Sequence, residues 1–492
     1  MNQIPILAVL IPLLCAPLCA LLRHRLLAWA VFLVAAGGAL ACSVWLTWRV
    51  SHGEVLRYAL GGWSAPAGIE YVVDGANAPI LLLISATALV VAVYARASVE
   101  SEVAPRRIPL LYSCLCLCLA GLLGVTVTGD AFNLFVFLEI SSLSTYALIA
   151  MGTRRRALLA AFRYLIIGTI GATFLLIGIG LAYAVTGTLN MADLAQRLPE
   201  VHGNRALTAA VAFVLVGLAV KAALFPLHAW LPGAYAEAPA AVTTFLAAVS
   251  TKVALYAYAR FAFTVFGAVL VFGLLPAGTI GLAVAAVAMV VGSAVACFQR
   301  DLRYLLGWSS IGQVGYIVAG FSLGTQAGVT AGYLHMITHA VTKAALFAAA
   351  GVLLWQLGST NLERLSGLGR RMPATFAAIG LAGLGLIGMP VTAGFVSKWA
   401  LVLAFVERGE WVLLAAMLIS SLLALVYVGR VVEIGWLREP VEEPPVLRRP
   451  APSMVATTWV LVAATLYIGL SPGLVGSLAD GAAAALGAGV PR

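Results

Sequence analysis

The stretch VKAALFPLHAW, residues 220–230, places a lysine, a proline and a histidine inside an otherwise apolar run. Its core KAALF returns at 343–347, within THAVTKAALFAAAG. What surrounds the two copies decides how they are read. Hydrophobic residues make up 62% of the 492-residue chain and charged residues 10%, with a mean hydropathy of +1.04. Soluble domains are nearer half apolar and a quarter charged. Apolar runs near 20 residues, the length that crosses a hydrocarbon core of about 30 Å, recur along the whole chain. The composition therefore indicates an all-α polytopic membrane protein with little room for a soluble catalytic domain.

Fourteen spans are expected, at roughly 4–22, 27–49, 77–95, 108–127, 130–151, 159–185, 207–230, 238–266, 275–298, 303–323, 329–356, 374–406, 410–433 and 453–476. Three longer connections, 50–76, 186–206 and 434–452, hold most of the remaining polar residues. Residues 1–22 lack a positive charge before their apolar run, and Arg23 and Arg25 follow it. They read as a first span entering from outside rather than as a signal peptide. Loops after odd-numbered spans carry sixteen arginines and even-numbered loops four (Arg57, Arg197, Arg205 and Arg408). By the positive-inside rule the odd loops are cytoplasmic and both termini lie outside. The formal charge of +10 is then an orientation signal that needs no nucleic acid partner.

The basic residues divide by type. All four lysines, Lys221, Lys252, Lys343 and Lys398, fall inside expected spans, and every loop cation is an arginine. A lysine at mid-bilayer costs about 2.5–3.5 kcal/mol on insertion scales. The ammonium group can give up its proton when dried, whereas guanidinium stays charged. Lysines confined to the interior are therefore candidate proton carriers. Of the nineteen acids, Glu139 alone is read as standing well inside a span, in GDAFNLFVFLEISSLSTYALIAMG (129–152), with Asp130 at that helix's mouth. Glu139 is the natural counter-charge for a buried lysine; the alternative is an inert ion pair that pins two helices. In YLHMITHAVTKAALF (333–347), His335, His339 and Lys343 are four apart, so they share one helix face with about 6 Å of rise between neighbours. That stripe resembles a relay.

Two spans are expected to break. Pro226, Pro232 and Pro239 follow Lys221, with His228 between the first two, and GLIGMPVTAGFVSKWAL (385–401) sets glycines around Pro390 ahead of Lys398. Proline removes a helix hydrogen bond, and such breaks persist in lipid only where the freed groups face protein or water. Broken helices in corresponding positions of two halves mark the ion site of an inverted-repeat transporter. Spans 4–8 and 9–13 make two five-helix units, and an odd helix number inverts the second. The expected division is 1–107 (three helices), 108–266 (first unit, a half-channel with Glu139 and Lys221), 275–433 (second unit, with His335, His339, Lys343 and Lys398) and 434–492 (a loop and the fourteenth helix). The repeat pairs the seventh span with the twelfth, so the KAALF echo is no duplication mark.

Several chemistries are excluded. The seven cysteines lie within spans without a CxxC pair or Cys/His cluster, so no metal site is expected. No dinucleotide fingerprint, Walker A loop or nucleophile elbow is present, and no cofactor is expected. Glu139 and Asp130, taken as the only acids near the interior, are too few for a cation cage of oxygen ligands.

The segments DAFNLFVFLEISSLSTYALI (130–149), VKAALFPLHAWLPGAYAEAPAAVTTFLAAVSTKVALYAYAR (220–260), RDLRYLLGWSSIGQVGYI (300–317), HAVTKAALF (339–347) and GFVSKWAL (394–401) resemble, in order, the proton-conducting antiporter-like subunits. These are shared by respiratory complex I, membrane-bound hydrogenases and Mrp-type multisubunit cation/proton antiporters. The wording looks most like the Mrp D subunit. The resemblance runs from about residue 75 to 430 and implies fourteen helices, two inverted repeats and broken helices seven and twelve. It implies that Glu139 and Lys221 form the switching ion pair, that Lys252 connects, that His335, His339 and Lys343 form the central group, and that Lys398 is terminal. From their places in the chain, Asp130 and His228 are candidate access residues. It further implies partner subunits, transported protons and a monovalent cation such as Na⁺, and a prokaryotic inner-membrane location. The alternative is a proton-pumping subunit of a redox complex. In either case the chain would be no enzyme in itself. Lys398 argues against a complex I branch with glutamate there. Gly233, Tyr235 and Ala236 depart from the family's usual residues at the seventh-helix break.

Overall fold

The computed structural model describes residues 3–439 and 447–488, and the rest of the third long connection lies outside the described residues. The chain is almost wholly helical. The N-terminal helices are α1 (Ile4–Leu22), α2 (Arg25–Ser51) and α3 (Ala78–Glu102). The connection between α2 and α3 folds into an antiparallel hairpin of β1 (Leu56–Ala59) and β2 (Glu70–Val73). Next come α4 (Ile108–Val127), α5 (Ala131–Ala150), α6 (Arg155–Thr186) and a short α7 (Met191–Arg197). The seventh span is α8 (Arg205–Lys221) and α9 (Leu231–Glu237), and the eighth is α10 (Ala240–Ala259), continued by π-helical turns Arg260–Val265.

Then follow α11 (Ala277–Cys297), α12 (Leu302–Ser322), α13 (Gln326–Leu357), the broken pair α14 (Pro373–Ile387) and α15 (Ala393–Arg408), and α16 (Trp411–Trp436). The chain closes with α17 (Pro452–Leu470) and α18 (Gly473–Ala485). Eleven of these helices are long and apolar enough to cross a membrane. The more polar α12 and the two broken pairs bring the crossings to the expected fourteen. The last expected span, to 476, ends early at Leu470, because Pro472 cannot continue a hydrogen-bonded helix.

The two five-helix units keep a common register. Asp130 caps α5 and bridges Asn190, and Asp301 caps α12 and bridges Asn361. Each member of the second pair lies 171 positions after the first (301 against 130, 361 against 190). The same step carries Arg155–Thr186 onto Gln326–Leu357, both 32 residues and both closed by a left-handed glycine. The helix crossings match as well. A Cβ at Gly121 would meet Ser141 backbone at 2.6 Å, and one at Gly292 would meet Gly312 backbone at 2.5 Å. Small residues let helices approach where lipid supplies no hydrophobic drive. The Asp301–Asn361 pair shares a cavity wall with Arg154, Arg156, Arg300 and Arg364, whereas Asn190 of the first pair contacts Glu70 on the hairpin. Equivalent capping pairs thus sit at opposite faces, as inversion requires.

Candidate functional site

Each broken span carries a lysine beside its break, and in the second the ammonium meets the C-terminal end of the first half. Lys221 is the last residue of α8, and the chain then turns through Ala223 at φ 55°. The other break turns through Val391 at φ 74°. A β-branched residue in the left-handed region is strained, by about 1–3 kcal/mol, and persists only when its surroundings impose it. Lys398 reaches back from α15 to donate to the freed carbonyls of Leu386 (2.7 Å) and Ile387 (3.1 Å), and to Ser421 Oγ (2.9 Å). Its Nζ also lies 4.9 Å from the Tyr316 ring centroid. Helix C-termini carry partial negative charge and favour cations. Lys221 and Lys398 therefore differ in setting: the first precedes its proline and meets a carboxylate and a hydroxyl of α5, the second follows its proline and meets freed carbonyls.

All four lysines are buried, at 4% (Lys221), 1% (Lys252), 0% (Lys343) and 6% (Lys398) exposure. Among the described residues only Lys221 pairs with a carboxylate. Its Nζ donates to Glu139 Oε1 at 2.8 Å and to Ser142 Oγ at 2.9 Å. Lys252 donates to the Ala247 carbonyl, and Lys343 to the Leu306 carbonyl (2.8 Å) and Ser309 Oγ. An ammonium held by neutral oxygens alone in a dry interior is costly. Charge at one of these sites is accordingly sensitive to charge at the next.

The α13 stripe is stacked as the four-residue spacing requires. The His335 and His339 rings are parallel within 1°, with centroids 6.0 Å apart. His335 Nε2 bonds Gln313 Oε1 at 2.9 Å, its Nδ1 meets Ser397 Oγ at 3.0 Å, and Ser397 in turn accepts from Thr338 at 2.9 Å. Neither ring nitrogen of the buried His339 has a hydrogen-bond partner within the protein. His339 lies within electrostatic reach of Lys252, Lys343, His335 and Lys398, and His335 within reach of Lys252 and Lys398. From Lys221 the polar wall runs along Ser141, Ser142, Thr145 and Tyr164 to Ser250, half a turn before Lys252.

The candidate access residues have structural occupations. Asp130 accepts from the Asn133 amide at 2.7 Å as the cap of α5. His228 stacks on Phe225 and meets Trp308 edge-on, each 5.1 Å between centroids. Pro226 and Pro390 both fall within their breaks, and Tyr235, at the departing segment, is buried and donates to the Leu246 carbonyl.

The expectation that only Glu139 and Asp130 lie near the interior is corrected. Glu237 is buried at 6% exposure at the end of α9. Glu102, closing α3, accepts from the Ala240 amide and from Ser98. Both stand at helix ends, where a linear reading assigns them to loops. Gln313, Ser309, Ser397 and Ser421 were also missed, because uncharged polar residues on a span carry no mark of which face they share. On the opposite face, Asp74 binds Arg260 through two hydrogen bonds of 2.7 and 2.8 Å. Burial pushes the Asp74 carboxyl up, but the Arg260 guanidinium outweighs it and holds the group below its ordinary value. Among the described residues no His/Cys/Asp/Glu group is arranged to hold a metal.

Residues 128–424 match the family described as NADH:quinone oxidoreductase/Mrp antiporter, TM. The NADH-quinone oxidoreductase N subunit of Desulforudis audaxviator is 43% identical over 450 residues, 89% of this chain and 87% of the relative. The Na(+)/H(+) antiporter D subunit of Alkalihalophilus pseudofirmus is 33% identical over 428 residues, 86% of this chain and 85% of the relative. Among solved structures, a chain of the Mrp complex from Dietzia sp. DQ12-45-1b superposes with TM-score 0.90 at 29% identity. A chain of the membrane-bound sulfane sulfur reductase, an archaeal respiratory membrane complex, does so with TM-score 0.90 at 32% identity. Each match covers 99% of this chain and 98% of the other. With that breadth of match and the fourteen-crossing inverted-repeat architecture, the chain belongs to the family of antiporter-like membrane subunits common to Mrp antiporters and NADH:quinone oxidoreductases.

Proposed function

We propose that this chain is the proton-translocating subunit of a multisubunit monovalent cation/proton antiporter exchanging Na⁺ for H⁺. One observation carries the reading: four buried lysines beside the buried His335 and His339, with Glu139 as their single carboxylate partner among the described residues. A structural scaffold gains nothing from ammonium groups left to carbonyls and hydroxyls. A conduction path gains charges that can be relocated.

In this mechanism the Glu139–Lys221 pair opens when a cation approaches, Lys221 yields its proton, and charge passes by way of Lys252, His339 and Lys343 to Lys398. His335 tunes His339 through Gln313 and Ser397. Residues 108–266 and 275–433 act as the two half-channels. The chain works with other subunits and moves ions without covalent catalysis. It sits in a prokaryotic inner membrane with the arginine-rich face cytoplasmic and both termini outside. The test is cation-driven proton movement in inverted vesicles carrying the whole complex, comparing Na⁺, Li⁺ and K⁺. Loss of the signal in Lys221→Ala is expected; a signal equal to wild type would overturn the reading.

The 43% identity to an oxidoreductase subunit favours a second reading, a proton-pumping subunit of a redox complex. Purification of the native complex separates the two. Small antiporter subunits without redox centres support the first, and iron–sulfur or quinone-site partners support the second.

A further inference from the structure

Two cavities open on the arginine-rich face, and one acidic residue, Glu237, lines both. Its residue exposure is 6%. Oε1 accepts from the Tyr304 hydroxyl at 3.1 Å, while Oε2 is buried and has no hydrogen-bond partner within the protein. Buried carboxylate oxygens are normally satisfied, and an exception asks for a reason. Behind the carboxylate, the buried Arg303 donates to the Tyr235 carbonyl (3.0 Å), the Ala238 carbonyl and Thr243 Oγ1 (2.6 Å). Arg303 also interacts electrostatically with Glu237, Glu102 and Asp301. It fixes the end of the broken seventh span against the second unit, so Glu237 stands at the seam between the two units.

Building on the proton-pathway reading above, on which this inference rests, we propose that Glu237 is the proton-accepting group at the mouth of the pathway, loading the relay lysine Lys343 along α12. The proton arrives from cavity water on the carboxylate, neutralising it, and leaves inward to restore it. Tyr304, already bonded to Oε1, lies five residues before Ser309, a rise of about 7.5 Å, and Ser309 accepts from Lys343. In this proposal water bridges that gap. This path reaches Lys343 without passing through Lys221.

The vestibule also has a sign. Arg154, Arg156, Arg300 and Arg364 line the wider cavity against Glu237 and Asp301. Arginine does not titrate, so the wall keeps an excess of fixed positive charge and discourages a hydrated metal cation. A proton, by contrast, is captured covalently by the carboxylate. The mouth therefore selects protons over Na⁺, and the cation must use another route.

The experiment uses the whole complex in inverted vesicles, whose outer face is then the arginine-rich one. Glu237→Gln is expected to cut proton flux at least tenfold in assembled complex, and Glu237→Asp to recover it to within threefold. Thr153→Cys places a thiol at an exposed position on the cavity wall. A membrane-impermeant charged methanethiosulfonate added to the bath should inhibit this variant at least fivefold and spare the parent chain with its native cysteines. Flux within twofold of wild type in assembled Glu237→Gln, or full labelling of Thr153→Cys without inhibition, overturns the proposal. If Glu237→Gln does not assemble, the Thr153→Cys result decides. Failure of the parent chain to move protons at all would instead sink the underlying reading. Normal flux in Glu237→Gln beside a dead Lys221→Ala sinks this inference alone.

Discussion

Replacing Glu139 by Gln is the sharpest perturbation of the ion pair, because the amide keeps the side chain's shape and an oxygen acceptor while removing its charge. Lys221 would keep its bond to Ser142, 2.9 Å away, but lose the one carboxylate opposite it at 2.8 Å. Lys221 is 4% exposed at its side chain and Glu139 23%, so water compensates the lysine hardly at all. Removing one partner of a buried pair costs about 3–5 kcal/mol. If every turnover passes through the re-formed pair, that energy is added to the barrier, and roughly two to four orders of magnitude in rate are lost. The assay is the initial rate of cation-driven proton movement in inverted vesicles, with complex assembly checked in parallel. In practice the rate should fall to the leak of vesicles lacking the complex. Lys221→Ala and the double variant complete a cycle in which the two single losses should be strongly non-additive. A Glu139→Gln rate within twofold of wild type, in assembled complex, would refute the argument and leave the pair as a structural pin.

Lys343→Arg keeps a positive charge but replaces a group that can release its proton with one that does not; proton flux is expected to disappear while assembly survives, and retained flux would show that Lys343 only contributes charge. Gly394→Ala would drive a Cβ into the Gly385 carbonyl across the second break, costing about 1–3 kcal/mol, visible as a lower thermal unfolding midpoint in detergent. Asp74→Asn leaves Arg260 buried without its counter-charge and should destabilise by about 3–5 kcal/mol, again read as a fall in thermal midpoint. Because the folded Asp74 carboxyl is held below its ordinary value, its contribution is present above the unfolded pKa of about 3.9 and is lost as pH falls below that through the folded value. Denaturation curves between pH 3 and 6 should therefore steepen toward the acid end in wild type and flatten in Asp74→Asn.

The number of crossings was legible in the chain itself because lipid imposes a length on every apolar run. Prolines after Lys221 and before Lys398 likewise announce the two breaks, since proline removes a backbone donor wherever it stands. The four-residue spacing of His335, His339 and Lys343 already fixes a common helix face. Their coupling to Lys252 and Lys398 on other helices is not contained in any spacing. It arises where α10, α13 and α15 pack. The same holds for Lys398, whose partners Leu386 and Ile387 are carbonyls that any residue would supply and that the break alone sets free. Glu102 and Glu237 were invisible as interior acids because both terminate helices, where hydropathy falls whether or not the end is covered.

The amino-acid order by itself determined a fourteen-crossing helical protein with its lysines confined to the interior, because the transfer cost of each side chain into lipid is a local property. Only the tertiary structure decided that Lys252, Lys343 and Lys398 are left to carbonyls and hydroxyls, and that Glu237 meets Tyr304 from the opposite repeat. Those outcomes depend on how helices distant in the chain approach one another, and burial is a property of that approach.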